Sequence, residues 1–167
     1  AGVCVVNSDR FPARFANLVV YPDVFRKLVR GYRLAPRGAS FEVAEELELL
    51  GSDDPLFRPD DAEVGPDGAL YLLDWRTDSG GAGRLSGNAT TGRIYRMTWT
   101  GTPDEPAVTS RPERIENPQT LERTALVTAL SARHFPTRLA ASHELIRRGA
   151  VELEPLEALA ADPSARR

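Results

Sequence analysis

Six acids crowd one stretch of this chain: Asp53, Asp54, Asp60, Asp61, Glu63 and Asp67. Hard cations such as calcium take several oxygen ligands, which makes Asp60 and Asp61 candidate calcium ligands. The spacing is not that of an EF-hand loop. The other reading is that these acids cap turns, a common use of aspartate. Arg58 precedes Asp60 and Asp61, so it is either a ligand contact or half of an ion pair between loops. Asp74, Trp75, Arg76 and Asp78 follow an apolar run. An aromatic beside polar groups at a strand end suits the mouth of a sugar or cofactor site. The alternative is that Trp75 packs in the interior. Ser79-Gly80-Gly81-Ala82-Gly83 lacks a following Gly-Lys-Ser/Thr and reads as a flexible loop, not a phosphate loop. His134 and His143 are the only histidines, and no HExxH pattern joins them. His143 falls on an apolar helix face and reads as packed. Ser142-His143-Glu144 are consecutive, and consecutive helical residues do not face one another, so they form no triad. Asn88-Ala89-Thr90 has the form of a glycosylation sequon.

Composition narrows the class. The chain has 167 residues, enough for one domain or two small ones. Hydrophobic residues make up 41% and charged residues 27%, the balance of an ordinary soluble globular protein. The net charge of -3 gives no sign of a nucleic-acid partner. Cys4 is the single cysteine, which rules out an internal disulfide and a cysteine-only zinc site. No CxxCH haem attachment occurs. Lys27 is the only lysine. No apolar run approaches the roughly 20 residues of a membrane span. Ala1 to Val6 reads as a strand with no basic leader before it, as if the sequence begins within a domain.

The elements that must position these residues are mostly strands. Over 1–100, short alternating runs are separated by turn signals. Val3 to Val6, Asn17 to Tyr21 (stopped by Pro22), Lys27 to Leu34, Phe41 to Leu50 and Ala62 to Val64 are candidates. The glutamates of Phe41 to Leu50 fit a helix equally well. Ala69 to Asp74 is the strongest, preceded by the turn Gly65-Pro66-Asp67-Gly68. Gly92 to Thr98 alternates well. Many short strands at this spacing indicate a sandwich, barrel or propeller. The proline-rich stretch 101–117 reads as a linker. From Pro118 the period becomes helical: Leu121, Ala125, Leu126, Ala129 and Leu130 form one stripe. Pro136 suits a helix start. Phe135, Leu139, His143 and Ile146 form a second stripe, with Arg147 and Arg148 near the helix C-terminus and Gly149 after it. Leu153 to Ala161 reads as a third helix.

The run Phe57-Arg58-Pro59-Asp60-Asp61-Ala62-Glu63-Val64-Gly65-Pro66-Asp67-Gly68-Ala69-Leu70-Tyr71-Leu72-Leu73-Asp74-Trp75 resembles a blade of the pyrroloquinoline-quinone (PQQ) sugar-dehydrogenase-like β-propellers. The branch it resembles most is the large bacterial membrane-bound dehydrogenase-like proteins. Asp9-Arg10-Phe11-Pro12 with Asn17-Leu18-Val19-Val20 resembles the preceding blade, and Gly92 to Met97 a closing strand. Leu139-Ala140-Ala141 and Leu145 to Gly149 resemble helical-repeat helices.

The resemblance implies a mainly β chain with α: the last blades of a β-propeller over 1–100, a linker over 101–117, and the start of HEAT-like helical repeats over 118–167. It implies a fragment of a periplasmic or extracellular sugar or alcohol dehydrogenase, inactive alone. Its partners would be the remaining propeller blades and a c-type cytochrome domain. PQQ and calcium are the implied cofactors. Arg58 falls on the first of two quinone-binding arginines, and Asp60 stands at the second. The lysine position falls near Phe25 or Arg26. Asp74 and Trp75 would lie at the ligand mouth. The rival expectation is a non-catalytic propeller and repeat scaffold that binds a glycan or a protein.

Overall fold

The computed structural model describes residues 2–76, 92–109, 115, 117–149 and 154–162. The chain divides into two compact units, Ala1–Arg111 and Pro112–Arg167.

Among its described residues the first unit holds seven strands in two antiparallel sheets. β1 (Cys4–Val5), β2 (Val19–Asp23), β3 (Leu28–Arg37) and β4 (Ser40–Gly51) form a meander in chain order. β5 (Pro59–Val64), β6 (Leu70–Asp74) and β7 (Arg93–Met97) form the second sheet. Val6, Leu18, Val20 and Val29 from the first sheet's segment meet Phe57, Ala62, Leu70 and Leu72 from the second in one buried core. Alternation explains the inward choice. Along β6, Leu70, Leu72 and Asp74 are buried while Leu73 is exposed.

Three local features set the registers. Gly68 adopts a positive φ of 78° and its N–H closes the turn onto the Gly65 carbonyl at 2.9 Å. Asp67 Oδ1 accepts the Ala69 N–H at 3.1 Å, and buried Ser8 donates to the Gly68 carbonyl at 2.7 Å, fixing this turn to the chain before β2. Pro22 does not stop β2: it pairs with Val29. β1 pairs no further along β2 than Val20, so one edge is open at Pro22 and its missing N–H breaks no ladder. Gly31 is required by a close approach, because a Cβ there would come within 2.5 Å of Leu18 Cδ2.

β4 is a strand throughout, its glutamates paired across to β3: Glu42 with Arg37, Glu45 with Arg33 and Glu46 with Arg30. Residues after β7 fold back on this unit. Gly101 bridges Pro106, Trp99 Nε1 donates to the Glu105 carbonyl at 3.0 Å, and Arg14 pairs with Glu105 at 2.7 Å.

The second unit contains α1 (Arg123–Ala129), α2 (Phe135–Arg147) and α3 (Glu154–Ala161). Pro136 lies in the first turn of α2, and Gly149, at φ 63°, follows its end. Leu126, Ala141 and Leu145 form the buried contact between α1 and α2. Glu144 is buried beside them and receives Arg147 at 2.6 Å and Arg148 at 2.6 Å. Arg148 also donates to the carbonyls of Leu121, Pro118 and Gln119. One arginine thus ties the end of α2 to the segment before α1.

The expectation of propeller blades followed by helical repeats is overturned. Among the described residues the strands form two small sheets of four and three strands that do not close, and the helices are three short segments. The physical reason lies in what the sheets bury. They share one hydrophobic core with each other, where a blade would stack in a ring around a channel. In α2 the expected stripe is not the packing face: Phe135, Leu139, His143 and Ile146 are all exposed. The buried positions are Thr137, Ala141, Glu144 and Leu145.

Candidate functional site

The residues singled out by chemistry converge only in part. They do so at the end of the second sheet where β6 finishes and β5 begins. Asp74, the last residue of β6, is fully buried. Its Oδ1 accepts the Arg58 N–H at 2.8 Å and the Arg76 N–H at 3.0 Å, and its Oδ2 receives the Tyr95 hydroxyl at 3.4 Å. The bond to residue i+2 is an aspartate turn, and it supports Arg76 in a left-handed conformation with φ 52°. Trp75 N–H returns to the Arg58 carbonyl at 2.9 Å. The strand end is closed by main-chain bonds, with a carboxylate at their centre.

Arg58 is drawn into the same closure. Its guanidinium donates to the carbonyls of Phe57 at 2.7 Å and Pro55 at 3.0 Å. A planar five-donor group used this way braces the loop before β5. In the loop before β5, Asp54 pairs with Arg76, while Arg93 lies 3.8 Å away. The Leu56 N–H, followed by the Arg76 guanidinium, holds the Asp54 carboxyl below the usual carboxylate range. Arg93 also reaches the Tyr95 hydroxyl at 3.3 Å. Trp75, the residue after β6, is 36% exposed.

The acidic stretch is dispersed. Asp60 is the extra residue at a bulge between Pro59 and Asp61, and its carbonyl accepts the Gly2 N–H at 2.8 Å. Asp61 Oδ1 accepts the Ala62 N–H at 2.8 Å. Asp67 belongs to the turn before β6, where Arg96 pairs with it at 2.6 Å. Partial burial pushes the Asp67 carboxyl up. Hydrogen bonds from Arg96, the Ala69 amide and Tyr71 outweigh that and hold it below the usual range. Among the described residues no group of three or more His, Cys, Asp or Glu side chains is placed to hold a metal ion. Asp78, the glycine-rich run 79–83 and the sequon at 88–90 lie outside the described residues.

Cys4 packs against the first unit's core. Burial, then the charges of Glu63 and Asp61, push its thiol up to about 12. A thiol held protonated in this way is a poor nucleophile and a poor metal ligand. In the second unit His134 is buried and His143 exposed, so the two histidines occupy different environments. Sequence reasoning missed Tyr95 and Arg93. Their signal was alternation: both fall on the β7 face that pairs with the Leu72–Asp74 side of β6.

Residues 1–79 match a family described as a domain of unknown function (DUF7133). No curated protein and no solved structure matches the chain. Among the described residues no helix is long and apolar enough to cross a membrane.

Proposed function

We propose that this chain is a non-catalytic binding module that recognises a glycan at the β6 end, with Trp75 as the stacking surface. The observation that carries the reading is the division of labour at that strand end. Asp74 and the Arg58 guanidinium are occupied by main-chain groups and by Tyr95. Trp75 is left as the part-exposed aromatic, on the same strand end as the Arg76–Asp54 pair. An aromatic face takes the C–H side of a sugar ring, while guanidinium and carboxylate groups exchange hydrogen bonds with its hydroxyls.

The oxidoreductase reading needs Arg58 to present its guanidinium to a quinone carboxylate. Doing so would strip the Phe57 and Pro55 carbonyls of their donor. That cost favours the binding reading. The test is retardation of the chain in gels containing neutral or acidic polysaccharides. One class of polysaccharide should slow the wild-type chain, and Trp75→Ala should migrate freely. No retardation by any polysaccharide counts against the proposal, as does equal retardation of both proteins.

A further inference from the structure

The three guanidiniums around the end of β6 are spent to different degrees. Arg58 donates to two carbonyls at 2.7 and 3.0 Å. Arg76 pairs closely with Asp54, and its side chain is 14% exposed. Arg93, the first residue of β7, holds long contacts: 3.3 Å to the Tyr95 hydroxyl and 3.8 Å to Asp54. Its side chain is 49% exposed. A guanidinium carries five N–H donors in a planar fork that matches an acid group with two oxygens. An exposed ion pair at 3.8 Å contributes little, so Arg93 can leave Asp54 for a better-matched anion while Arg76 keeps Asp54 neutralised. Asp53, the neighbouring acid, pairs with none of the three among the described residues.

The ladder sets Arg93 near Trp75. Asp74 and Arg93 are the last pair between β6 and β7. Trp75 directly follows Asp74 and Gly92 directly precedes Arg93, so both lie at the same end of that pair. Gly92 leaves room there. Among the described residues, a Cβ on it would meet the Asp74 carbonyl at 3.5 Å and nothing else within 4 Å. Adjacent strands lie about 4.8 Å apart, a separation that consecutive units of a sugar chain bridge. An aromatic surface at the end of one strand and an exposed guanidinium at the start of the next therefore suit a chain of sugars more than a single one.

We infer that the glycan bound at Trp75 is acidic, and that Arg93 selects it by taking the carboxylate or sulfate of the sugar next to the one stacked on Trp75. This rests on the glycan reading of the strand end. The chain as a whole carries a net charge of -3 and repels a polyanion at long range. At about 0.1 M salt that field is screened beyond about 10 Å, while a direct contact with a guanidinium persists. Selection therefore comes from Arg93 and not from the net charge.

Native gels at about 0.1 M salt test this with two matched pairs of polysaccharide: dextran sulfate with dextran, and polygalacturonate with its methyl ester. At least one acidic member should slow the whole chain, and which one does tells sulfate from carboxylate. Its neutral counterpart should not. Arg93→Ala should raise the dissociation constant at least about tenfold, the scale of a hydrogen bond to a charged group. Arg26→Ala removes the same charge from the exposed turn between β2 and β3 and should bind like the wild type. Tryptophan fluorescence melts check that each variant is folded. If Arg93→Ala disturbs folding, Gly92→Asp decides alone, because a carboxylate beside Arg93 should weaken binding as much. Slowing by a neutral polysaccharide as strong as by its acidic partner, and lost in Trp75→Ala, leaves the glycan reading standing and overturns the selection of an acid. Slowing by no polysaccharide overturns both. Acidic binding unchanged in a folded Arg93→Ala, or weakened equally in Arg26→Ala, overturns the role of Arg93.

Discussion

Replacing Asp74 with alanine should loosen the first unit more than any surface change, and the size of the effect follows from three hydrogen bonds. The substitution leaves the N–H groups of Arg58 and Arg76 without their acceptor and removes the partner of Tyr95. An amide left unsatisfied costs about 1–3 kcal/mol, and both amides are only partly buried, so about 1 kcal/mol each is reasonable. Loss of the turn that supports Arg76 at positive φ adds to this. The sum is about 3 kcal/mol, a large share of the roughly 5–15 kcal/mol that holds a domain together. Asp74→Asn keeps an oxygen where Oδ1 sits and can still accept both amides, so it should cost only about 1 kcal/mol. For a unit of this size, about 4–8 °C is lost per kcal/mol, which separates the two variants by roughly 8–16 °C. The assay is thermal unfolding followed by tryptophan fluorescence. Both tryptophans, Trp75 and Trp99, belong to the first unit, so the signal reports on it alone. If Asp74→Ala melts with the wild type, Asp74 does not hold the strand end. If Asn is as damaging as Ala, the charge matters and not the acceptor geometry.

Acid should act first on the helical unit through Glu144. Hydrogen bonds from Arg147 and then Arg148 hold its carboxyl down at about 2, from an ordinary 4.5. Its contribution is therefore fully present above pH 4.5 and is lost as pH falls from there towards 2. Ellipticity at 222 nm should decline across that window in the wild type. In Glu144→Gln the helices should be weaker at neutral pH and respond less to acid. A wild-type helical signal that is flat to pH 2 would contradict this. For Cys4, a thiol held near 12 has a thiolate population about a thousandth of that of a free thiol near 9. A disulfide reagent at pH 8 should therefore label the native chain very slowly and the urea-unfolded chain fast. Equal rates would show that Cys4 is open to solvent.

What the sequence made legible was local. The turn at Gly65 to Gly68 and the strands Leu70–Asp74 and Arg93–Met97 follow from alternation and turn chemistry. β5 was read too short, because its first half contains a proline and a bulge at Asp60 that break the period of two. Pro22 looked like a stop because a single sequence cannot show which edge of a strand is open. The arrangement of sheets was misread for a deeper reason. Leu18, Val20, Phe57 and Leu72 announce that they are buried, but nothing in their types says which sheet they bury against. In α2 the packing face was missed because it carries Thr137 and Glu144, while Phe135, Leu139 and Ile146 are exposed. Hydropathy cannot foresee a buried glutamate that two arginines neutralise. At the candidate site, Arg58, Asp74 and Trp75 were legible as residues. Their roles were not, since each depends on main-chain groups brought from β5 to the end of β6.

The most direct measurement is a calorimetric titration of a retarding polysaccharide into the wild type, Trp75→Ala and Arg58→Ala. The account expects saturable heat from the wild type, none from Trp75→Ala, and an affinity within about twofold of wild type from Arg58→Ala, a difference of under about 0.5 kcal/mol. Binding that survives the loss of Trp75, or that disappears with Arg58 in a folded protein, would contradict the assignment of Trp75 as the contact and Arg58 as the brace.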